Sequence, residues 1–156
     1  MTSLFPPPAS EEELEVLAAS MARWLASIEE EYGIVEAVER DGAERRWYLR
    51  LRGEEKDFCT IWMWLDQRTF RYETYFMPAP VENREELFSW LLRRNGELYG
   101  AAFCIGEEDA VYLKGAIDVR RLDRSELDRI VGTLYTTSER FFRPAMRMGF
   151  GNLFKG

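Results

Sequence analysis

Apolar positions recur along this chain with two distinct periods. From Leu14 to Tyr32 they fall three and four apart, at Leu14, Leu17, Ala18, Met21, Trp24, Leu25, Ile28 and Tyr32. That spacing lays one continuous apolar face along a helix. Ser10 and Glu13 form a capping-box pattern ahead of it, Glu11 to Glu13 suit the positive end of the helix dipole, and Gly33 supplies a stop. Ile34 to Arg40 is compatible with a short strand, and Asp41-Gly42 turns the chain. The period then changes to two. Trp47, Leu49 and Leu51 alternate with Arg46, Tyr48 and Arg50, as a half-buried strand requires. Gly53 to Lys56 is a polar turn. Phe58 to Leu65 is apolar at nearly every position, with Cys59, Ile61, Met63 and Leu65 on one side and Phe58, Thr60, Trp62 and Trp64 on the other. Such a strand is either covered on both faces or carries an exposed aromatic face. Thr69 to Met77 alternates again, with Phe70, Tyr72, Thr74 and Phe76 opposed to Arg71, Glu73, Tyr75 and Met77.

Pro78 and Pro80 end this meander. Asn83 and Glu86 form a second capping-box pattern before a helix over Glu85 to Asn95, with Leu87, Phe88, Leu91 and Leu92 as its apolar stripe. Tyr99 to Ile105 and Val111 to Ile117 read as a hairpin around a Gly106 to Asp109 turn. Asp123 and Glu126 cap a last helix over Ser125 to Phe142, closed by Pro144. The order is α-β-β-β-α-β-β-α. Two separated groups of short hairpins predict one α+β domain with a five-stranded antiparallel sheet and helices on one face. Residues 10–150 form the domain. Residues 1–9, with Pro6-Pro7-Pro8, read as a flexible arm, and 151–156 as a tail. The segment Met146 to Phe154, rich in Met and Phe between glycines, either folds back on the domain or serves as an adaptable binding segment.

Composition narrows the chemistry. The chain has 156 residues and a formal net charge of -7. A diffuse acidic surface repels phosphate backbones, which argues against nucleic acid as a partner. There is no histidine, which removes Ser-His and Cys-His nucleophile systems and the usual zinc and haem ligand sets. Cys59 and Cys104 form no CxxC motif and read as small apolar residues in a reducing compartment, with a disulfide open only if they fall on neighbouring strands. No segment is long and apolar enough for a transmembrane helix and the first residues carry no signal-peptide pattern, so the expected location is the cytoplasm and no membrane partner is expected. Asp66, Glu73, Glu107, Glu108 and Asp109 can be assembled into an acid–base pair only on paper. Four of them lie in turns, Glu73 has arginine neighbours, and no phosphate loop, dinucleotide fingerprint or nucleophile elbow occurs. Neither an enzyme nor a cofactor or metal site is expected.

The stretches Leu91-Leu92-Arg93-Arg94-Asn95 followed by Tyr99-Gly100, Ala110-Val111-Tyr112-Leu113-Lys114-Gly115, Glu126-Leu127-Asp128-Arg129, and Phe141-Phe142-Arg143-Pro144 with Gly149-Phe150 stand in an ordered combination. In that combination they resemble the YbjN-domain family of bacteria, often described as sensory-transduction regulators. The actinobacterial branch looks closest, and the likeness runs from about Leu14 to Phe150. The resemblance implies a fold similar to type III secretion chaperones, which are small, acidic and usually dimeric. It implies no catalytic residue.

If Trp47, Leu49, Leu51, Phe70, Tyr72, Phe76, Val111, Leu113 and Ile117 face the helices, the other sheet face carries Tyr48, Arg50, Trp62, Trp64, Arg71, Tyr75 and Tyr112, with Glu73 and Lys114 among them. Arginine beside Trp and Tyr allows cation–π contacts worth roughly 0.5–1 kcal/mol each when exposed. The mixture is that of interface hot spots. The plainer reading is a solvated face whose aromatics support neighbouring strands. The expected function is protein binding, first as a homodimer and then with a client or regulatory partner. The rival is a small-molecule sensor with an aromatic-lined pocket between helices and sheet.

Overall fold

The inner positions of four strands are almost wholly buried, and every helix lies on that side. A computed structural model describes residues 4–154; the first three residues of the expected arm and the last two of the expected tail lie outside the described residues. The elements are α1 (Glu11–Glu31), β1 (Val35–Arg40), β2 (Arg46–Arg52), β3 (Phe58–Leu65), β4 (Thr69–Met77), α2 (Arg84–Asn95), β5 (Ala102–Ile105), β6 (Val111–Asp118) and α3 (Arg124–Phe150). The sheet is a single antiparallel one of order β1-β2-β3-β4-β6-β5. The α+β class and one-sided architecture are as the sequence predicts, with six strands instead of five.

The sixth strand is β1. Its sequence, VEAVER, has three charges and no clean alternation. It is held as an edge by the ladder to β2 from Val35 opposite Leu51 to Arg40 opposite Trp47, with a bulge between Val35 and Ala37. Charges and a bulge on an edge strand block further pairing.

Trp47, Leu49, Leu51, Cys59, Ile61, Met63, Leu65, Phe70, Tyr72, Phe76, Val111 and Leu113 form the inner sheet face, all buried. Ile117 packs against this core from a half-buried position. Burying each large apolar side chain contributes about 1.5–3 kcal/mol. Thr74 is also buried there, and its hydroxyl donates to the Thr60 carbonyl at 2.6 Å, so the polar group carries no desolvation penalty. Leu14, Ala18, Met21, Leu25 and Ile28 of α1 and Leu127, Ile130, Leu134, Phe141 and Ala145 of α3 complete the core. Phe76, Phe103, Phe141 and Trp90 form a chain of edge-on rings with centroids 4.8–6.1 Å apart, which ties the sheet to α2 and α3.

Three boundaries differ from the sequence pattern. First, α3 runs through Pro144 to Phe150 instead of closing there. Pro144 is exposed while Phe141, Ala145 and Gly149 are buried, so the hydrogen bond lost to the proline faces water and packing carries the helix on. Met146 and Met148 therefore pack on the core from a helix, and Phe154 follows against Phe142 at 6.0 Å. Second, Asn83 stands at the N-cap of α2 but its side chain makes no capping bond. It adopts a left-handed conformation with φ 54°, and its amide donates to the Met148 carbonyl at 2.9 Å. Third, β5 begins at Ala102, because Gly100 turns the chain with φ +79° and its carbonyl accepts from the Tyr72 hydroxyl at 2.6 Å. This approach requires Gly115, where a Cβ would lie 2.2 Å from the Gly100 oxygen and 2.4 Å from the Tyr72 ring. The capping box at Ser10 and Glu13 is reciprocal, and at α3 Asp123 caps by accepting the Glu126 N–H at 2.8 Å while the Glu126 carboxylate turns to Arg129.

At the front of the domain, Ala9 donates its N–H to the Gln67 carbonyl at 2.8 Å and Arg68 reaches the Pro6 carbonyl at 2.6 Å.

Candidate interaction face

The strand register fixes what the uncovered side of the sheet displays. One row runs Tyr48, Trp62, Glu73, Lys114 from β2 to β6. A second runs Arg46, Trp64, Arg71. Tyr75 opposes Tyr112 in a third, and Arg50 opposes Thr60 beside Phe58. The seven residues singled out from alternation, Tyr48, Arg50, Trp62, Trp64, Arg71, Tyr75 and Tyr112, thus share this side. Trp62 and Trp64 are half-buried, Tyr75 is 42% exposed and Phe58 36%.

Ring and charge are interleaved throughout. Trp62 stacks along Trp64 with centroids 6.4 Å apart, and Tyr48 meets Trp62 edge-on at 5.1 Å. Arg46 lies over Trp62 at 5.5 Å, Arg71 over Trp64 at 5.1 Å, Arg50 over Phe58 at 3.8 Å and Lys114 over Tyr112 at 5.1 Å. Carboxylates hold the cations in place: Asp66 binds Arg71 at 2.6 Å, Glu73 binds Lys114 at 3.0 Å, and Asp41 pairs with Arg46. Side chains fixed in this way lose little freedom when a partner arrives. Burial, and then the neighbouring Tyr112, push the Tyr75 hydroxyl above its ordinary pKa, so it stays a neutral donor.

The carboxylates considered for acid–base work are otherwise engaged or dispersed. Asp66 and Glu73 serve the ion pairs just described, and Asp109 binds Arg84 at 2.9 Å. Among the described residues no three His, Cys, Asp or Glu side chains gather in a metal-holding group. Cys59 on β3 and Cys104 on β5 are separated by β4 and β6, and both thiols are free. Between α1, α3 and the sheet lies a pocket lined by Ile28, Tyr32, Ile34, Leu51, Val131 and Tyr135, of about 170 Å³. That is below the ~300–1,000 Å³ of small-molecule sites.

A larger cleft, of about 540 Å³, opens beside the interaction face between the β2–β3 loop and the end of α3. Its wall includes Lys56, Phe58, Tyr75, Phe142, Arg143 and Phe154. The loop is shaped by Glu139 of α3, whose carboxylate accepts the backbone N–H groups of Glu54, Glu55 and Lys56 at 2.9, 2.7 and 3.3 Å. Gly53 permits the wrap, since a Cβ there would lie 1.9 Å from the Lys56 carbonyl oxygen. In sequence this segment shows only a polar turn, and nothing in it signals the distant Glu139.

A sheet with three helices on one side and an open face on the other defines a chaperone-like α+β fold. A chain of the HopA1-SchA chaperone–effector complex matches it with a TM-score of 0.59 over 86% of this chain and 98% of that one, at 12% identity, a likeness of fold alone. The chain belongs to the YbjN family, whose model, described as "Putative bacterial sensory transduction regulator", matches residues 17–145. Uncharacterized proteins of Mycobacterium tuberculosis and Mycobacterium bovis are each 30% identical over 109 residues, which is 70% of this chain and 60% of theirs. One of Mycobacterium leprae is 25% identical over 105 residues, 67% of this chain and 57% of its own. The chain therefore spans about 60% of the length of these relatives. No helix among the described residues is long and apolar enough to cross a membrane.

Proposed function

We propose that the protein acts by binding another polypeptide on the open face of its sheet, without catalysis, with a second copy of itself as the first partner and a client or regulatory protein as the next. The observation that carries this is the pair Trp62 and Trp64, held side by side on a face no helix covers and ringed by Tyr48, Arg46 and Arg71. Large aromatics and arginines on a rigid, partly desolvated patch are what binding hot spots are made of. Residues 10–150 serve as the binding domain, with 1–9 and 151–156 as flanking arm and tail. Two free thiols fit a reducing, cytoplasmic setting. The sensor reading finds no support in the small helix–sheet pocket.

Light scattering over a concentration series tests the proposal, with Trp62→Ala and Trp64→Ala beside the parent. The parent is expected to dimerise, and each variant to associate at least about tenfold more weakly. Near-parental thermal unfolding separates lost binding from lost folding. A parent that stays monomeric throughout removes the homodimer, and variants that dimerise as the parent does remove this face as its interface.

A further inference from the structure

Lys56 is one of three lysines in the chain, and its setting differs from that of Lys114. Lys114 extends over the sheet and pairs with Glu73 at 3.0 Å, with 45% of its side chain exposed. Lys56 projects from the β2–β3 loop into the cleft of about 540 Å³. Its Nζ donates to the Phe58 carbonyl at 3.0 Å and lies 5.7 Å from the ring centres of both Tyr75 and Phe142. The Phe58 carbonyl accepts one N–H of the amine, and the two rings attract its charged form. A neutral amine keeps the hydrogen bond to Phe58. Burial favours this form. It lowers the Lys56 pKa from the ordinary lysine value, against the smaller opposing pull of Cys59, Asp57 and Glu139. The loop that carries Lys56 is fixed by its three N–H bonds to Glu139, and the bond to the Phe58 carbonyl holds the amine at the cleft.

We propose that Lys56 is a site of Nε-acylation, the cleft between the β2–β3 loop and α3 admitting a small activated acyl group to its amine. The ammonium first gives one proton to solvent. The nitrogen lone pair then attacks the acyl carbon, a C–N amide bond forms, and the bond from acyl carbon to leaving group breaks. Phosphate departs from an acyl phosphate, or thiolate from a thioester, with the bonding electrons, and the nitrogen releases its second proton to solvent. Phe58, Tyr75, Phe142 and Phe154 form the apolar wall against which the acyl group rests. The product is a neutral amide beside Tyr75, which itself sits edge-on to Tyr112 of the interaction face at 5.6 Å.

The test is mass spectrometry of the full chain after incubation with acetyl phosphate or acetyl-coenzyme A at neutral pH, native and in urea. Each lysine is its own control. Lys56 is expected to acetylate roughly three- to tenfold faster in the folded protein than in urea, while Lys114 is slower folded than unfolded. Faster modification of Lys56 in the folded protein by either donor meets the proposal, and the faster arm names the source. A Lys56 that reacts no faster folded than unfolded with either donor overturns it.

Discussion

The side-chain amide of Asn95 pairs with both backbone groups of Phe103: Oδ1 accepts the Phe103 N–H at 2.6 Å, and Nδ2 donates to the Phe103 carbonyl at 3.1 Å. Phe103 lies on β5, an edge strand with no charged residue. The last residue of α2 thus occupies the edge as a seventh strand would. Asn95→Ala is expected to cost about 1–3 kcal/mol, because both half-buried groups lose their partner. Urea unfolding reads this as a lower midpoint at unchanged slope. An unaltered midpoint would show the pairing to be dispensable.

Gly53 and Glu139 form the second such device. Gly53→Ala drives a Cβ into the Lys56 carbonyl, and Glu139→Ala leaves three N–H groups without their acceptor. Each change is expected to destabilise by roughly 2 kcal/mol. Hydrogen exchange checks the mechanism. The amides of Glu54, Glu55 and Lys56 should lose protection while those of β3 keep theirs.

The two thiols should separate under a thiol reagent. Cys59 is fully buried near Thr74, and burial pushes its pKa up, whereas Cys104 is half-buried near the edge of the sheet. One equivalent is expected to react in the native protein, at Cys104, and the second only as fast as the protein unfolds. The raised pKa also has a sign. The folded state binds the Cys59 proton more tightly than the unfolded chain does. The stability it contributes is full below about pH 8.5 and is lost as pH rises through the folded-state value.

Acid stability carries the opposite sign at the start of α1. Glu13 is held below the ordinary carboxylate range, first by the Ser10 backbone N–H and then by the Ser10 hydroxyl. The unfolded chain therefore binds this proton more readily. The contribution is complete above about pH 5 and drains away as pH falls through the depressed value. Glu13→Gln should flatten the fall in stability measured from pH 5 to 3. An unchanged slope would place the acid sensitivity elsewhere.

Where one face of an element is buried, its residues could be read directly. Cys59, Ile61, Met63 and Leu65 are inside and Thr60, Trp62 and Trp64 are not, as a period of two demands, so the two sets were legible in the chain, whereas which set met the helices was not, because both are apolar. β1 was harder because an edge strand needs only backbone pairing, and its alternating signal is thin. The reach of α3 past Pro144 depends on which way the proline points, and Asn83 answers to Met148, 65 residues away. The cleft around Lys56 was illegible for the same reason, since Glu139 shapes a loop more than eighty residues earlier in the chain.

The place of α3 in chain order has a bearing on synthesis. Every described strand precedes in the chain the helix that shelters β3 and β4, so Ile61, Met63 and Phe70 lack that cover until α3 is made. Until α3 docks, the newborn polypeptide carries an unprotected apolar sheet face of its own.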